Sequence, residues 1–158
     1  MDENELELQC LEWFRDIGWN TLHGPDIGPD GSAPKRSDYS QVILAEELKI
    51  AFTRINPHPP ESCFEQVLTA VTKPESLDVV TNNRALHSML INGVPVEYKK
   101  DDDLVKDHAF LVDFEKVSHN SFYAVNQFTI TGIKQPRRPY IACFINGLAI
   151  VVMELKRE

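Results

Sequence analysis

Apolar positions recur at helical spacing through the first half of the chain and at a period of two through much of the second. Leu6, Cys10, Trp13, Phe14 and Ile17 predict an amphipathic helix over residues 3–17, with Gly18 as its C-terminal stop. Residues 19–22 read as a short extended segment, and residues 24–35, rich in Gly, Pro and Asp, as a loop. Leu44, Leu48, Phe52 and Ile55 predict a helix over residues 41–55. Pro57, Pro59 and Pro60 separate it from another over residues 61–71, with Phe64, Val67, Leu68 and Val71 inward. A last helix is expected from about Leu77 to Ile91, ended by Asn92-Gly93.

The period then changes. Residues 94–98, 108–114, 122–130, 141–145 and 148–155 are strand candidates, and Asn146-Gly147 is a two-residue hairpin signal between the last two. The pattern predicts an α+β fold in one domain, residues 1–158: helices first, then a mostly antiparallel sheet that the first helix covers.

Composition narrows the class. The 158 residues suffice for a real core, and no apolar run approaches bilayer-spanning length. The N-terminus, Met1-Asp2-Glu3-Asn4-Glu5, is acidic, the reverse of a secretory signal, so a cytoplasmic protein with no membrane partner is expected. Cys10, Cys63 and Cys143 are odd in number and widely spaced, which fits reduced, buried thiols. A net charge of −8 argues against a stand-alone nucleic-acid binder but is compatible with a nuclease, whose site gathers carboxylates. The basic residues Lys134, Arg137, Arg138, Lys156 and Arg157 all fall in the last quarter.

That quarter also holds the candidate chemistry. Glu154 and Lys156 are two apart on an expected strand, so both point to one face. A carboxylate beside an ammonium can hold a divalent cation and stabilise charge on a phosphate. Alone, Glu-x-Lys is usually a solvated strand end. Other constellations fail: Asp26, Asp30 and Gly31 sit at calcium-loop offsets, but the twelfth position is Ser37. The five histidines lack zinc spacing, and no Walker A or Gly-x-Ser-x-Gly motif is present.

The order Arg137-Arg138-Pro139, hairpin, Glu154-Leu155-Lys156 is similar to the layout of PD-(D/E)xK nucleases. The chain more specifically resembles the N-terminal nuclease domain of the restriction (R) subunit of type I restriction–modification enzymes. The matching words are Ile17-Gly18-Trp19, His23-Gly24-Pro25-Asp26, Arg36-Ser37-Asp38-Tyr39, Arg54-Ile55-Asn56-Pro57, Asn82-Asn83-Arg84 and Gly93 to Tyr98. They continue through Val112-Asp113-Phe114, Val125-Asn126-Gln127-Phe128 and Phe144-Ile145-Asn146-Gly147. Each word is unspecific; the ordered set is specific.

The resemblance implies a restriction-endonuclease-like core and Mg²⁺-dependent hydrolysis of DNA phosphodiesters. Glu154, Lys156 and Glu7 would be the catalytic residues, with Glu154 and Glu7 on the metal; Glu12 is the second choice on the first helix. It implies a DNA-facing role for Arg137, Arg138 and Lys134, and supporting parts for Asp113, Gln127 and Asn126. It also implies methyltransferase and specificity subunits as partners. ATP would serve only a motor region outside these residues. The family core closes with a further helix and strand after the lysine, so the chain is expected to be an N-terminal piece of a larger R subunit.

One position departs from the pattern. The family aspartate that ligates the metal follows Arg-Arg-Pro, and here it is Tyr140. A phenol with a pKa of about 10 is a poor ligand for Mg²⁺. Two readings stay open: a metal-dependent nuclease domain weakened at position 140, or a non-catalytic module that keeps the nuclease fold and binds DNA or partner subunits.

Overall fold

The computed structural model describes residues 2–132 and 135–156. In chain order the elements are α1 (Glu3–Asp16), β1 (Asn20–His23), α2 (Gly24–Ile27), α3 (Ala45–Ile55), α4 (Phe64–Thr72), α5 (Val79–Asn92), β2 (Val94–Lys100), β3 (Asp103–Ala109), β4 (Phe122–Asn126), β5 (Ile141–Ile145) and β6 (Leu148–Met153). Short 3₁₀ turns occupy Glu61–Cys63 and Val117–His119. The chain forms two compact units, one from the residues up to Glu47 together with those from Ser121 onward, the other Leu48–Asn120. Among the described residues no helix is long and apolar enough to cross a membrane.

The first unit is built on a sheet of order β1-β4-β5-β6. Its antiparallel pairs, β4–β5 and β5–β6, follow the expected α+β arrangement, while β1 runs parallel to β4. Side chains alternate along the strands, so successive residues enter opposite cores. Val125, Ala142 and Phe144 join Ile27, Leu44 and Phe128 on one face. Ala124, Ile141 and Cys143 join Cys10 and Leu11 of α1 on the other. Strand β5 is therefore apolar throughout, as a strand covered on both faces must be. Phe128 and Phe144 meet edge to face with centroids 5.1 Å apart.

Helix α1 starts with a capping box: Asp2 accepts from the Glu5 backbone N–H at 2.8 Å, and Glu5 accepts from the Asp2 N–H at 2.8 Å. Its inward stripe differs from the one read from apolar spacing. Trp13 is 56% exposed and Ile17 is exposed too, whereas Glu7, Cys10 and Leu11 are buried. Leu6, Cys10 and Phe14 face the core as expected, and the covered line shifts to take in Leu11 and Glu7, a carboxyl that hydropathy assigns to solvent.

The β5–β6 hairpin turns at Asn146-Gly147, both with positive φ (51° and 80°), as a type I′ turn demands. Asn146 is fully buried, and its Oδ1 accepts the Ser121 N–H at 2.8 Å, tying the turn to the start of β4.

Several expected boundaries move. The strand expected over residues 122–130 ends at Asn126 because Gln127 adopts positive φ. The strand expected over residues 148–155 ends at Met153. Gly24–Ile27 forms a helical turn inside the expected loop. The helix expected from residue 41 starts at Ala45, and the one expected from residue 61 begins as a 3₁₀ turn.

In the second unit, β2 and β3 pair from Val94↔Ala109 to Lys100↔Asp103, turning at Asp101 and Asp102, both with positive φ. The strand expected over residues 108–114 is thus displaced toward the N-terminus. The charged run 99–103 hides this hairpin from an apolar pattern, while Phe110 and Phe114 are exposed. Asn56 fixes the exit of β3, donating to the Phe110 carbonyl at 2.9 Å and accepting from its N–H at 2.6 Å. Phe52 of α3 packs on Phe64 of α4, centroids 5.8 Å apart. Helix α5 is capped by Asp78, which accepts the Thr81 N–H at 2.9 Å, so it starts two residues later than expected.

Gly24 is where α2 meets the end of β4. A Cβ there would lie 2.3 Å from the Gln127 carbonyl oxygen and 2.6 Å from that of Asn126. Neither backbone atom can yield without moving the strand end. Gly24→Ala is expected to lower stability by about 1–3 kcal/mol or more, read as a reduced urea midpoint. An unchanged midpoint would contradict this close approach.

Candidate active site

The site forms around the end of β4, where three sequence-predicted residues meet. Glu7 lies on the inner face of α1 and is 3% exposed. Its Oε1 accepts from Asn126 Nδ2 at 2.7 Å and from Gln127 Nε2 at 3.2 Å. Gln127 reaches it because its positive φ ends the strand and turns its side chain back beside that of Asn126. Asn126 is held at its other end by His23 of β1, whose Nδ1 lies 3.0 Å from Asn126 Oδ1. A buried carboxyl is thus satisfied by two amide donors, the condition for keeping one in a core. Glu12, the second choice on this helix, is exposed.

Tyr140 immediately precedes β5. Ile141 pairs with Met153, so continuing that register by one residue sets Tyr140 across from Glu154. The Tyr140 hydroxyl donates to Glu3 Oε2 at 2.7 Å. Its pKa is raised first by that hydrogen bond, then by desolvation and by the charges of Glu3, Glu7 and Glu154. The phenol is therefore bonded to Glu3 of α1 and lies across from Glu154 in the continued β5–β6 register. Glu3 was not singled out from sequence. The available signal was its spacing of four from Glu7, which stacks the two on one helix face.

Glu154 and Lys156 follow β6 rather than lying in it, because the ladder stops at Met153. The alternation persists: Met153 and Leu155 pack against the core beneath α1, while Glu154 and Lys156 are exposed. An open depression of about 1240 Å³ runs beside this segment, lined by Ile130, Arg137, Arg138, Tyr140, Val152 and Glu154 among others. Arg137 and Arg138 are exposed at its rim. Lys134 lies outside the described residues. Asp113 belongs to the second unit and is occupied locally. Its Oδ1 accepts the backbone N–H groups of Glu115 and Lys116, and its Oδ2 lies 2.9 Å from His119 Nδ1. That arrangement shapes the 113–119 turn and gives Asp113 a structural role.

The donor set does not suit Mg²⁺ as it stands. Among the described residues no group of three or more His, Cys, Asp or Glu side chains is arranged to hold a metal ion. One oxygen of Glu7 is taken by two amides, one oxygen of Glu3 by Tyr140, and the phenol itself is protonated. A hard cation that prefers carboxylate oxygens and water meets a hydrogen-bonded phenol instead.

The α+β fold is consistent with a restriction-endonuclease type of domain, and the comparisons identify the family. The family model described as "Type I restriction enzyme R protein N terminus" matches residues 1–158, and the chain belongs to that family. It is 36% identical over 157 residues to the "Type I restriction enzyme HindI endonuclease subunit" of Haemophilus influenzae, covering 99% of this chain and 15% of that protein. It is 29% identical over 154 residues to the "Putative type I restriction enzyme MjaIXP endonuclease subunit" of Methanocaldococcus jannaschii, covering 96% of this chain and 15% of that one. The chain thus spans about one seventh of the length of these relatives.

The raised pKa of Tyr140 has a defined consequence. The fold favours the neutral phenol, so its contribution to stability is complete below the ordinary tyrosine value of 10.0 and is lost as pH rises through the raised folded value. In a spectrophotometric titration, the step removed by Tyr140→Phe should lie above that of free tyrosine. Glu3→Gln should move that step downward. The comparison with Tyr140→Phe is needed because Tyr98 is also raised. A Tyr140 step that Glu3→Gln leaves in place would contradict the pairing.

Proposed function

We propose that this chain is the DNA-facing nuclease-fold domain of a type I restriction endonuclease subunit, and that Tyr140 holds it short of metal-dependent cleavage. The observation that carries this is the Tyr140–Glu3 hydrogen bond at the position where the family pattern has a metal-ligating aspartate. In this reading Glu7 and Glu154 are the carboxylates of a phosphodiester-hydrolysing site. Lys156 supplies positive charge for a phosphate, and Arg137 and Arg138 guide the DNA backbone. Mg²⁺ is the cation such a site takes, once an anionic ligand stands at position 140. Sequence recognition and methylation belong to partner specificity and methyltransferase subunits, and ATP-driven motion to a motor region elsewhere in the subunit. The reading is compatible with an acidic chain, since two of its basic side chains, Arg137 and Arg138, line the depression.

The second reading, a nuclease fold used only to bind DNA or partner subunits, draws on the same hydrogen bond. The two separate at one substitution. Calorimetric titration of the native chain with Mn²⁺ or Mg²⁺ is expected to show little or no binding. Tyr140→Asp removes the phenol, frees Glu3 and restores a charge opposite Glu154, so it should bind at least about tenfold more tightly. Mn²⁺ should show the gain more readily, since it shares oxygen-ligand chemistry with Mg²⁺ and binds mixed sites more strongly. Equal metal affinity in the two proteins would mean that position 140 does not face a metal site, and the binding-only reading would stand.

A further inference from the structure

Arg36 is an unusual buried cation. It is 6% exposed, and no carboxylate lies within ion-pair distance of it among the described residues. Burying an unpaired guanidinium is costly unless its donors are occupied. Here they meet backbone carbonyls. Nη1 donates to Gln41 O at 3.0 Å and, more weakly, to Tyr39 O at 3.4 Å, while Nη2 donates to Thr129 O. The guanidinium lies over the Phe128 ring, 3.8 Å from its centroid, and 5.2 Å from that of Tyr39. Only Nε is left without a partner. A lysine could not reproduce this fork.

What the fork joins gives it meaning. Thr129 lies on the excursion between β4 and β5, of which residues 127–132 and 135–140 are described. That excursion is pinned at its base by Gln127 N–H to Tyr140 O at 3.1 Å, and further out by paired Ile130–Arg137 backbone bonds of 2.7 Å each. Its outgoing limb is bonded to the 36–41 loop by Arg36 and by Thr131 N–H to Tyr39 O at 3.0 Å. Its returning limb carries Arg137, Arg138 and Tyr140. Beyond Phe128, Ile130 packs against the same core, whereas Gly132, Gln135 and Arg137 are exposed. We infer that Arg36 is a positioning residue for the proposed site: from within the core it fixes the arm that presents Gln127 to Glu7 and Arg137 and Arg138 to DNA. This rests on the reading of Arg137 and Arg138 as the DNA-facing pair, but the clamp itself is testable without it.

Hydrogen exchange on the intact chain reads the clamp directly. In the native protein the amides of Ile130, Thr131 and Arg137 should be protected despite lying in an exposed arm. Exchange there at the rate of an unstructured loop would overturn the inference before any variant is made. In Arg36→Met, which keeps bulk and loses the fork, these amides should exchange at least about tenfold faster. Those of Ala124 and Cys143 in the sheet should change far less. Arg36→Lys should restore little of the protection. A uniform rise across the first unit would reduce Arg36 to a general stabiliser and overturn the positioning role. Binding of a short duplex at low salt is measured in parallel. If Arg36 positions the pair, Arg36→Met should weaken it about as much as Arg137→Ala, although Arg36 is buried. If the native chain binds no duplex, the DNA-facing reading fails, while the exchange result still decides the clamp.

Discussion

A carboxyl group in the core governs how this domain is put together. Glu7 sits beneath α1 where an apolar side chain would cost nothing, and burial there is tolerable only with donors at hand. The two amides that supply them come from the last residue of β4 and the first residue beyond it. That requirement explains why β4 stops at Asn126, why Gln127 takes a left-handed conformation, and why α1 turns Glu7 rather than Trp13 inward. It also explains the glycine at position 24, since a side chain there would push on the carbonyls of the same two residues. One buried polar group thus sets a helix rotation, a strand end and a close backbone approach.

The arrangement around Tyr140 follows from that helix rotation. With Glu7 inward, Glu3 one turn earlier lies on the same side of α1 and reaches the phenol. The phenol in turn faces the end of β6, where Glu154 follows the last ladder pair. The phenol donates a hydrogen bond to one carboxylate, Glu3, and feels the charges of Glu7 and Glu154. The tyrosine is accommodated there as a neutral hydrogen-bond donor to Glu3.

The arm between β4 and β5 shows the converse strategy, in which a cation is buried with no anion at all. Arg36 is satisfied by carbonyls and aromatic faces, a solution that fixes backbone rather than charge. Membership of the type I restriction enzyme R family gives both features a context, because the words containing Arg36, Asn126, Gln127 and Arg137 are among those that carry the resemblance.

The sequence by itself determined the elements whose signals are local. The helix at the N-terminus, the Asn146-Gly147 hairpin and the all-apolar β5 follow from periodicity, turn chemistry and composition within a few residues, and the ordered motif words led to the family. The glutamate on α1, the Glu154–Lys156 pair and the departure at Tyr140 were singled out through the family resemblance rather than through local patterning. Tertiary structure decided whatever depends on a partner distant in the chain. Glu7 is buried because residues 126 and 127 meet it across more than a hundred positions, which no hydropathy window can register. Glu3 enters the site only because Tyr140 lies against its helix. Strand β2 was expected over residues 94–98, but its turn and β3 escaped notice because charged residues form them and the strands pair through backbone groups that every sequence possesses. Asp113 matched a family word, yet its own loop consumes its carboxylate. Local patterns fix conformation through short-range sterics and hydrogen bonding, whereas the fate of a polar side chain depends on which donors the completed fold brings to it.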